Sequence, residues 1–167
     1  FNERENTIFA TIEPEGKIYE GKNLAHPLIP KEKRITNDFA LKESESFYIL
    51  TGPNMAGKST YLRSLGINLV LANAGFPVFS DTFIIPKVKL FSSMRTSDDL
   101  ASESSYFHAE LSRLALMKET LEKNNKLFVL LDEILKGTNS VDKQEGSKKF
   151  LSKMQRLGAR GVIATHD

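Results

Sequence analysis

Short, almost continuously apolar runs alternate with longer amphipathic segments from Ser46 to the end of the chain. The apolar runs lie at residues 47–50, 127–131 and 162–164. Runs of this kind predict strands that are buried on both faces of a parallel sheet. Between and beside them, Leu, Phe and Ala recur at helical spacing, which predicts helices over 59–74, 105–123 and 141–157. Gly75 and Gly158 mark the ends of the first and last of these helices.

Residues 1–45 follow a different pattern. Two short β-type runs, at 7–12 and 17–19, flank Pro14-Glu15-Gly16, and together they predict a β-hairpin. We therefore divide the chain into a β-rich N-terminal segment, 1–45, and a core, 46–167, in which alternating strands and helices indicate an α/β fold with a mostly parallel sheet.

The composition narrows the class of protein only a little. A length of 167 residues fits one domain, and a net charge of +2 neither requires nor excludes a nucleic-acid partner. The absence of cysteine excludes disulfides and thiolate metal sites. No apolar run is long enough to cross a bilayer, so we expect a cytoplasmic or nucleoid-associated protein without a membrane partner. Because the first residue is Phe1, we interpret the chain as part of a longer protein.

The first apolar run leads directly into a phosphate-binding pattern, G-x-x-x-x-G-K-S. It reads Gly52-Pro53-Asn54-Met55-Ala56-Gly57-Lys58-Ser59-Thr60. The two glycines allow the backbone to turn its N–H groups towards phosphate oxygens, and the helix that follows adds the positive end of its dipole. Lys58 supplies a positive charge for the β- and γ-phosphates, while the Ser59 hydroxyl can ligate Mg²⁺. The pattern predicts that the chain binds a nucleoside triphosphate.

Two carboxylates end the second apolar run. Asp132 is placed to reach Mg²⁺, commonly through water, and Glu133 is placed to orient and deprotonate an attacking water. Acidic residues also end strands for purely structural reasons. The two carboxylates therefore indicate a catalytic role only because a phosphate-binding pattern lies upstream.

His166 follows the third run, where an imidazole can sense the γ-phosphate; a surface histidine after a strand is the structural alternative. Ser105 lies in a hydroxyl-rich segment that opens a helix. Such a segment serves as a helix cap, and it can also present the helix N-terminus to a nucleotide held by a second subunit.

Four stretches of the chain resemble segments of MutS-type mismatch-repair ATPases. Residues 51–63 are similar to that family's phosphate loop, in which Gly-Pro-Asn-Met is far more specific than the general pattern. Residues 98–102 resemble its signature segment, 132–140 resemble its Asp-Glu-Ile-x-x-Gly-Thr-Ser stretch, and 164–166 resemble its histidine loop. The resemblance extends from about residue 25 to residue 167, with the motifs in the family's order.

The resemblance implies a P-loop NTPase of the ABC type that hydrolyses ATP with Mg²⁺ at a composite site between two subunits. Asn54 would approach the γ-phosphate or the attacking water, and Ser105 would reach the partner's nucleotide. Arg34 and Ile35 stand where the family has an adenine-stacking aromatic residue, and a guanidinium can also stack on a base. Glu103 replaces the signature's usual glycine. These departures indicate a divergent paralogue.

The resemblance also implies partners. The ATPase domain would form a homo- or heterodimer, and DNA would be held by other domains of the full-length protein. ATP binding and hydrolysis would then shift a DNA-bound clamp between states. Two alternatives are a nucleotide-gated module with little hydrolysis that acts on branched DNA or ribosomes, and an ABC ATPase of a transporter or chromosome-organising complex. We expect the 167-residue chain itself to be largely monomeric and a slow ATPase.

Overall fold

A computed structural model describes residues 7–53, 57–94, 103–123, 126–133 and 140–165. Within these ranges eight strands and three α-helices follow one another. The strands are β1 (Thr11–Glu13), β2 (Tyr19–Leu24), β3 (Asn37–Leu41), β4 (Phe47–Thr51), β5 (Thr82–Pro86), β6 (Lys89–Ser93), β7 (Leu127–Asp132) and β8 (Arg160–Thr165). The helices are α1 (Lys58–Asn73), α2 (Glu103–Lys123) and α3 (Ser140–Arg156).

The three predicted helices are confirmed to within two residues at each end. Gly75 and Gly158, which follow α1 and α3, have φ angles of +79° and +87°. A left-handed residue after the last turn closes a helix, and glycine adopts that conformation without strain. The glycines therefore end these helices for the reason that the sequence indicated.

The chain folds into two compact units, each with its own four-stranded sheet. The first unit comprises residues 1–45 and 54–90, and the second comprises 46–53 and 91–167. The prediction of one mostly parallel sheet is thus wrong, because the strands divide between two sheets with the orders β1-β5-β2-β3 and β4-β8-β7-β6.

The sheet of the first unit is mixed. Its strand β5 pairs in parallel with β1 and antiparallel with β2, which in turn pairs antiparallel with β3. The predicted hairpin is therefore wrong: a turn does follow Glu13, but β5 lies between the two strands that the turn connects. The apolar side chains of β5, Phe83 and Ile85, are fully buried, whereas β1 is exposed along its length. Burial of these apolar side chains favours β5 in the interior of the sheet.

Asn68 joins three segments of the first unit. This residue lies on α1, and none of its surface is exposed. Its amide nitrogen donates hydrogen bonds to the carbonyl oxygens of Ala25 (3.1 Å) and Ser64 (2.8 Å), and its amide oxygen accepts one from the Phe79 N–H (2.8 Å). Because a buried amide is stable only when it is hydrogen-bonded, Asn68 fixes the loop that begins at Ala25 against α1.

The sheet of the second unit contains the three strands predicted to be parallel. Strand β8 pairs in parallel with β4 on one side and with β7 on the other. Strands β7 and β8 are buried on both faces, as predicted. Strand β4 differs, because it lies at the end of this sheet's strand order; Tyr48 is 41% exposed and Ile49 is 51% exposed. The prediction of two-sided burial is wrong for β4.

The core of the second unit lies where α2 and α3 meet β7 and β8. Its fully buried members include Met117 and Leu121 of α2, Met154 of α3 and Ile163 of β8. Gly161 stands at the middle of the sheet, where it pairs with Phe47 on β4 and with Val129 on β7. None of the described helices is long and apolar enough to span a membrane.

Candidate functional site

Both glycines of the phosphate-binding pattern have backbone conformations that favour glycine. Gly52 has a φ of 143° directly after β4, and Gly57 has a φ of 83° as the residue that precedes α1. A β-carbon added at Gly57 would meet no atom within 4 Å among the described residues, so the backbone angle and not crowding requires glycine there. The two positions have the conformational freedom that a phosphate-binding turn needs.

The N-terminus of α1 suits an anion. Its first turn contains Lys58 and no acidic residue, and the described residues provide no side-chain cap for it. The free N–H groups and the dipole of a helix N-terminus attract negative charge. Lys58 is only 5% exposed, which is unusual for a lysine.

Three of the predicted functional segments leave the sheet of the second unit at the same edge. In the paired register Thr51 of β4 lies beside Thr165 of β8, and Ala164 lies beside Asp132 of β7. The residues that follow these strand ends are Gly52, the predicted histidine at 166, and Glu133. The carboxyl ends of parallel strands are the usual place for ligand binding in α/β sheets.

Glu133 combines burial with an uncommon backbone conformation. Its φ is +49°, its exposed fraction is 8%, and its N–H donates a hydrogen bond of 2.9 Å to the carbonyl oxygen of Ala164. A left-handed conformation costs a residue with a β-carbon about 1–2 kcal/mol. Such conformations persist where the surrounding structure imposes them and are concentrated at functional sites. The strand end at β7 therefore fixes the backbone of Glu133, and the residue is buried there.

Arg34 is engaged within the first unit. Its guanidinium donates to the carbonyl oxygens of Ile29 (2.6 Å) and Pro27 (3.1 Å), and its Cζ lies 5.4 Å from the ring centroid of Phe79. These contacts tie the loop of residues 26–30 to the strand that follows Arg34. Ile35, the other residue predicted to meet the base, is 81% exposed.

His26 lies in the same loop. Burial lowers the pKa of His26, and the nearby charges of Arg63 and Arg34 lower it further. The imidazole is therefore neutral at pH 7, in agreement with the hydrogen bond that its Nδ1 accepts from the Leu28 N–H at 3.1 Å.

Several predicted site residues lie outside the described ranges: Asn54, Met55, Ala56 and His166. Ser105 falls in the first turn of α2, although its side chain is not among those described. The predicted Mg²⁺ ligands, Ser59 and Asp132, belong to different units. Among the described residues no group of three acidic, histidine or cysteine side chains forms a metal site. The assignment of Mg²⁺ to Ser59 and Asp132 stays a prediction from the sequence.

One anchoring residue was not foreseen. Asn68, which holds the loop containing His26, is a polar residue on the otherwise apolar stripe of α1 formed by Leu62, Leu65 and Leu69. In the sequence, the sign of this role is a polar residue at a position where the helical spacing predicts an apolar one.

Comparison with known proteins identifies the family. Residues 48–167 match the family model of MutS domain V. The chain belongs to the MutS family. The ABC-type P-loop NTPase fold predicted above is wrong, because the matching family is MutS domain V and the chain forms an α/β fold of eight described strands and three described helices in two sheets. The match also gives no support to the alternative of an ABC ATPase from a transporter or chromosome-organising complex.

Curated relatives agree with this assignment. The chain is 36% identical over 93% of its length to the DNA mismatch repair protein MutS of Fusobacterium nucleatum and 33% identical over 88% to that of Thermotoga maritima. A third MutS, from Granulibacter bethesdensis, is 40% identical over 78% of the chain. This MutS-family chain spans 18%, 19% and 14% of the length of these three relatives, respectively.

Proposed function

We propose that this chain binds ATP with Mg²⁺ through residues 52–60 and hydrolyses it, as the nucleotide-binding part of a MutS-like protein in DNA mismatch repair or recombination. The observation that carries the proposal is the common edge at which β4, β7 and β8 end, because each strand is followed there by one of the predicted functional segments. The glycine conformations at Gly52 and Gly57, and a first turn of α1 that contains Lys58 and no acidic residue, support phosphate binding.

Each residue has a distinct role in the proposal. Lys58 and the N–H groups of the phosphate-binding segment bind the β- and γ-phosphates. Mg²⁺ held by Ser59 and Asp132 would offset the negative charge of the phosphates. Glu133 orients the attacking water and accepts its proton. His166 and Asn54 stand near the γ-phosphate by resemblance to the family.

We also propose a role for this domain in the whole protein. Two copies of this domain, or this domain and that of a related protein, would share nucleotide sites, with Ser105 contributing across the dimer. The ATP cycle would shift the DNA-bound protein between clamp states, and other domains would hold DNA. The names of the relatives, which are mismatch-repair proteins, support this wider role.

Replacement of Lys58 by methionine is expected to weaken nucleotide binding at least about tenfold, since a charge-assisted contact to phosphate contributes about 1.5–3 kcal/mol. Methionine retains the apolar stem of a side chain that is almost fully buried. The measurement is titration of the purified chain with a fluorescent ATP analogue and Mg²⁺. Lys87→Met, which removes an exposed lysine of the same unit, is the matched control and should leave affinity within twofold. Equal affinities for the two variants would contradict the role of Lys58.

Hydrolysis is tested separately from binding. In single turnover, with the chain in excess over labelled ATP, Glu133→Gln is expected to slow phosphate release at least about a hundredfold, because it removes the general base. Nucleotide affinity should remain close to that of the unchanged chain. Glu13→Gln, at an exposed carboxylate on β1, serves as the control. Phosphate release that is the same in the chain and in Glu133→Gln would favour the nucleotide-gated module without hydrolysis.

A further inference from the structure

The two most exposed large apolar side chains of the described residues lie close together in the first unit, in the segment between β2 and β3. Leu28 is 83% exposed and Ile35 is 81% exposed. A single exposed apolar residue is ordinary in a folded protein. Two in one short segment are informative, because exposed apolar groups that lie together commonly mark a binding surface.

Arg34 fixes the backbone that carries this pair. Its guanidinium donates to the carbonyl oxygens of Pro27 (3.1 Å) and Ile29 (2.6 Å), which lie on either side of Leu28 in the chain. Ile35 directly follows Arg34. Leu28 and Ile35 are therefore both neighbours of one half-buried arginine, on a backbone that is ordered without a ligand. Such preorganisation lowers the entropic cost of binding.

The same segment lies beside the start of α1. The hydroxyl of Tyr61 donates a hydrogen bond of 3.0 Å to the carbonyl oxygen of Asp38. Tyr61 is three residues after Lys58, about 4.5 Å along the helix, and Asp38 is three residues after Ile35, at most about 10 Å along the chain. All four residues belong to the first unit. The exposed pair is therefore close to the helix end at which we propose that phosphate binds.

The polar groups around Leu28 are already engaged within the segment. The carbonyl oxygens of Pro27 and Ile29 accept hydrogen bonds from Arg34. The N–H of Leu28 donates to Nδ1 of His26 at 3.1 Å. Adenine and guanine differ in the hydrogen-bonding groups on their edges, whereas both present apolar faces. A site that offers only apolar contacts discriminates weakly between ligands of similar shape.

We propose that Leu28 and Ile35 contact the base of the bound nucleotide through their apolar side chains, and that the site therefore accepts adenine and guanine nucleotides alike. This role rests on the proposed function, because it takes the phosphates to lie at the start of α1. Two aliphatic side chains can pack on the face of a base, but they fall far short of the roughly 800 Å² per partner that a stable protein interface buries. A base therefore suits this pair better than a partner protein does.

Calorimetric titration of the chain with ATP, GTP and inorganic tripolyphosphate, each with Mg²⁺, tests this role. The unchanged chain is expected to bind ATP and GTP with affinities within about fivefold of each other. The double substitution Leu28→Ser with Ile35→Ser should weaken both about tenfold, because the apolar contact with the base is lost. Tripolyphosphate has no base, so its affinity should stay within about twofold.

The matched control is Phe9→Ser with Ile18→Ser, which removes two other exposed apolar side chains of the first unit (71% and 41% exposed) and should leave all three affinities within about twofold. ATP binding more than about fivefold tighter than GTP binding would overturn the proposal. So would a loss of nucleotide affinity in the Leu28 and Ile35 variant no larger than in the control. If tripolyphosphate still binds in those cases, the proposed phosphate site stands and the role of this pair alone is wrong. If the unchanged chain binds neither ATP nor tripolyphosphate, the proposed function fails, and the role of Leu28 and Ile35 fails with it.

Discussion

Replacement of Gly161 by alanine is expected to lower the free energy of unfolding of the second unit by at least about 3 kcal/mol. A β-carbon added at this position would lie 1.9 Å from the carbonyl oxygen of Val129 and 2.8 Å from its carbonyl carbon. These are backbone atoms of the neighbouring strand, so the contact can be relieved only if β7 and β8 move apart. Such a movement would weaken the pairing that places Asp132 beside Ala164.

Urea denaturation followed by circular dichroism measures this loss. The control is Gly75→Ala, where an added β-carbon meets no described atom within 4 Å but the φ of +79° is unfavourable for alanine. We expect a cost of about 1 kcal/mol there, from the backbone angle alone. Equal losses of unfolding free energy for Gly161→Ala and Gly75→Ala would contradict the explanation that close approach of β7 and β8 requires glycine at position 161.

Asn68→Ala is expected to destabilise the first unit by about 3–4 kcal/mol. The substitution leaves the Ala25 carbonyl and the Phe79 N–H without the hydrogen bonds that Asn68 provides, and each unsatisfied buried group costs about 1–3 kcal/mol. The loop that carries His26 should loosen as well. Amide hydrogen exchange would detect this loosening at Phe79, whose N–H donates to the Asn68 side chain.

Asn73→Ala provides the comparison on the same helix. Asn73 is exposed and donates a 3.3 Å hydrogen bond to the carbonyl oxygen of Val88, so its loss should cost less than about 1 kcal/mol. Equal destabilisation by the two substitutions would mean that helix propensity, and not the buried hydrogen bonds, determines the effect.

The sequence predicted local features of the fold well because their causes are local. Helix α1 begins and ends within one residue of its predicted bounds, since apolar spacing and Gly75 are visible in the sequence. The strand pairing of the first unit was missed because β5 joins β1 and β2 from about 60 to 70 residues away. A Pro-Glu-Gly turn between β1 and β2 indicates a reversal of the chain but cannot show that a third strand lies between them.

The sequence also predicted only part of the candidate site. Residue types and spacing predicted the strand that leads to Asp132 and Glu133. Phosphate binding by residues 52–60 stays a prediction. The left-handed backbone of Glu133 could not be predicted, since glutamate carries no preference for that conformation. The contacts of Arg34 with Pro27, Ile29 and Phe79 depend on tertiary structure, and only the coordinates reveal them.

The parallel pairing of β4 with β8 has a consequence for biosynthesis. Phe47 pairs with Gly161, 114 positions later in the chain. At a translation rate of about 5–20 residues per second, a nascent β4 waits on the order of ten seconds before its partner has been made. During that interval the apolar run that includes Tyr48 and Ile49 lacks its neighbouring strand in this sheet, because β4 pairs with β8 and β8 is synthesised after all the other strands of the sheet. Newly made protein is therefore most prone to aggregate, and most dependent on chaperones, before residues 160–165 emerge from the ribosome.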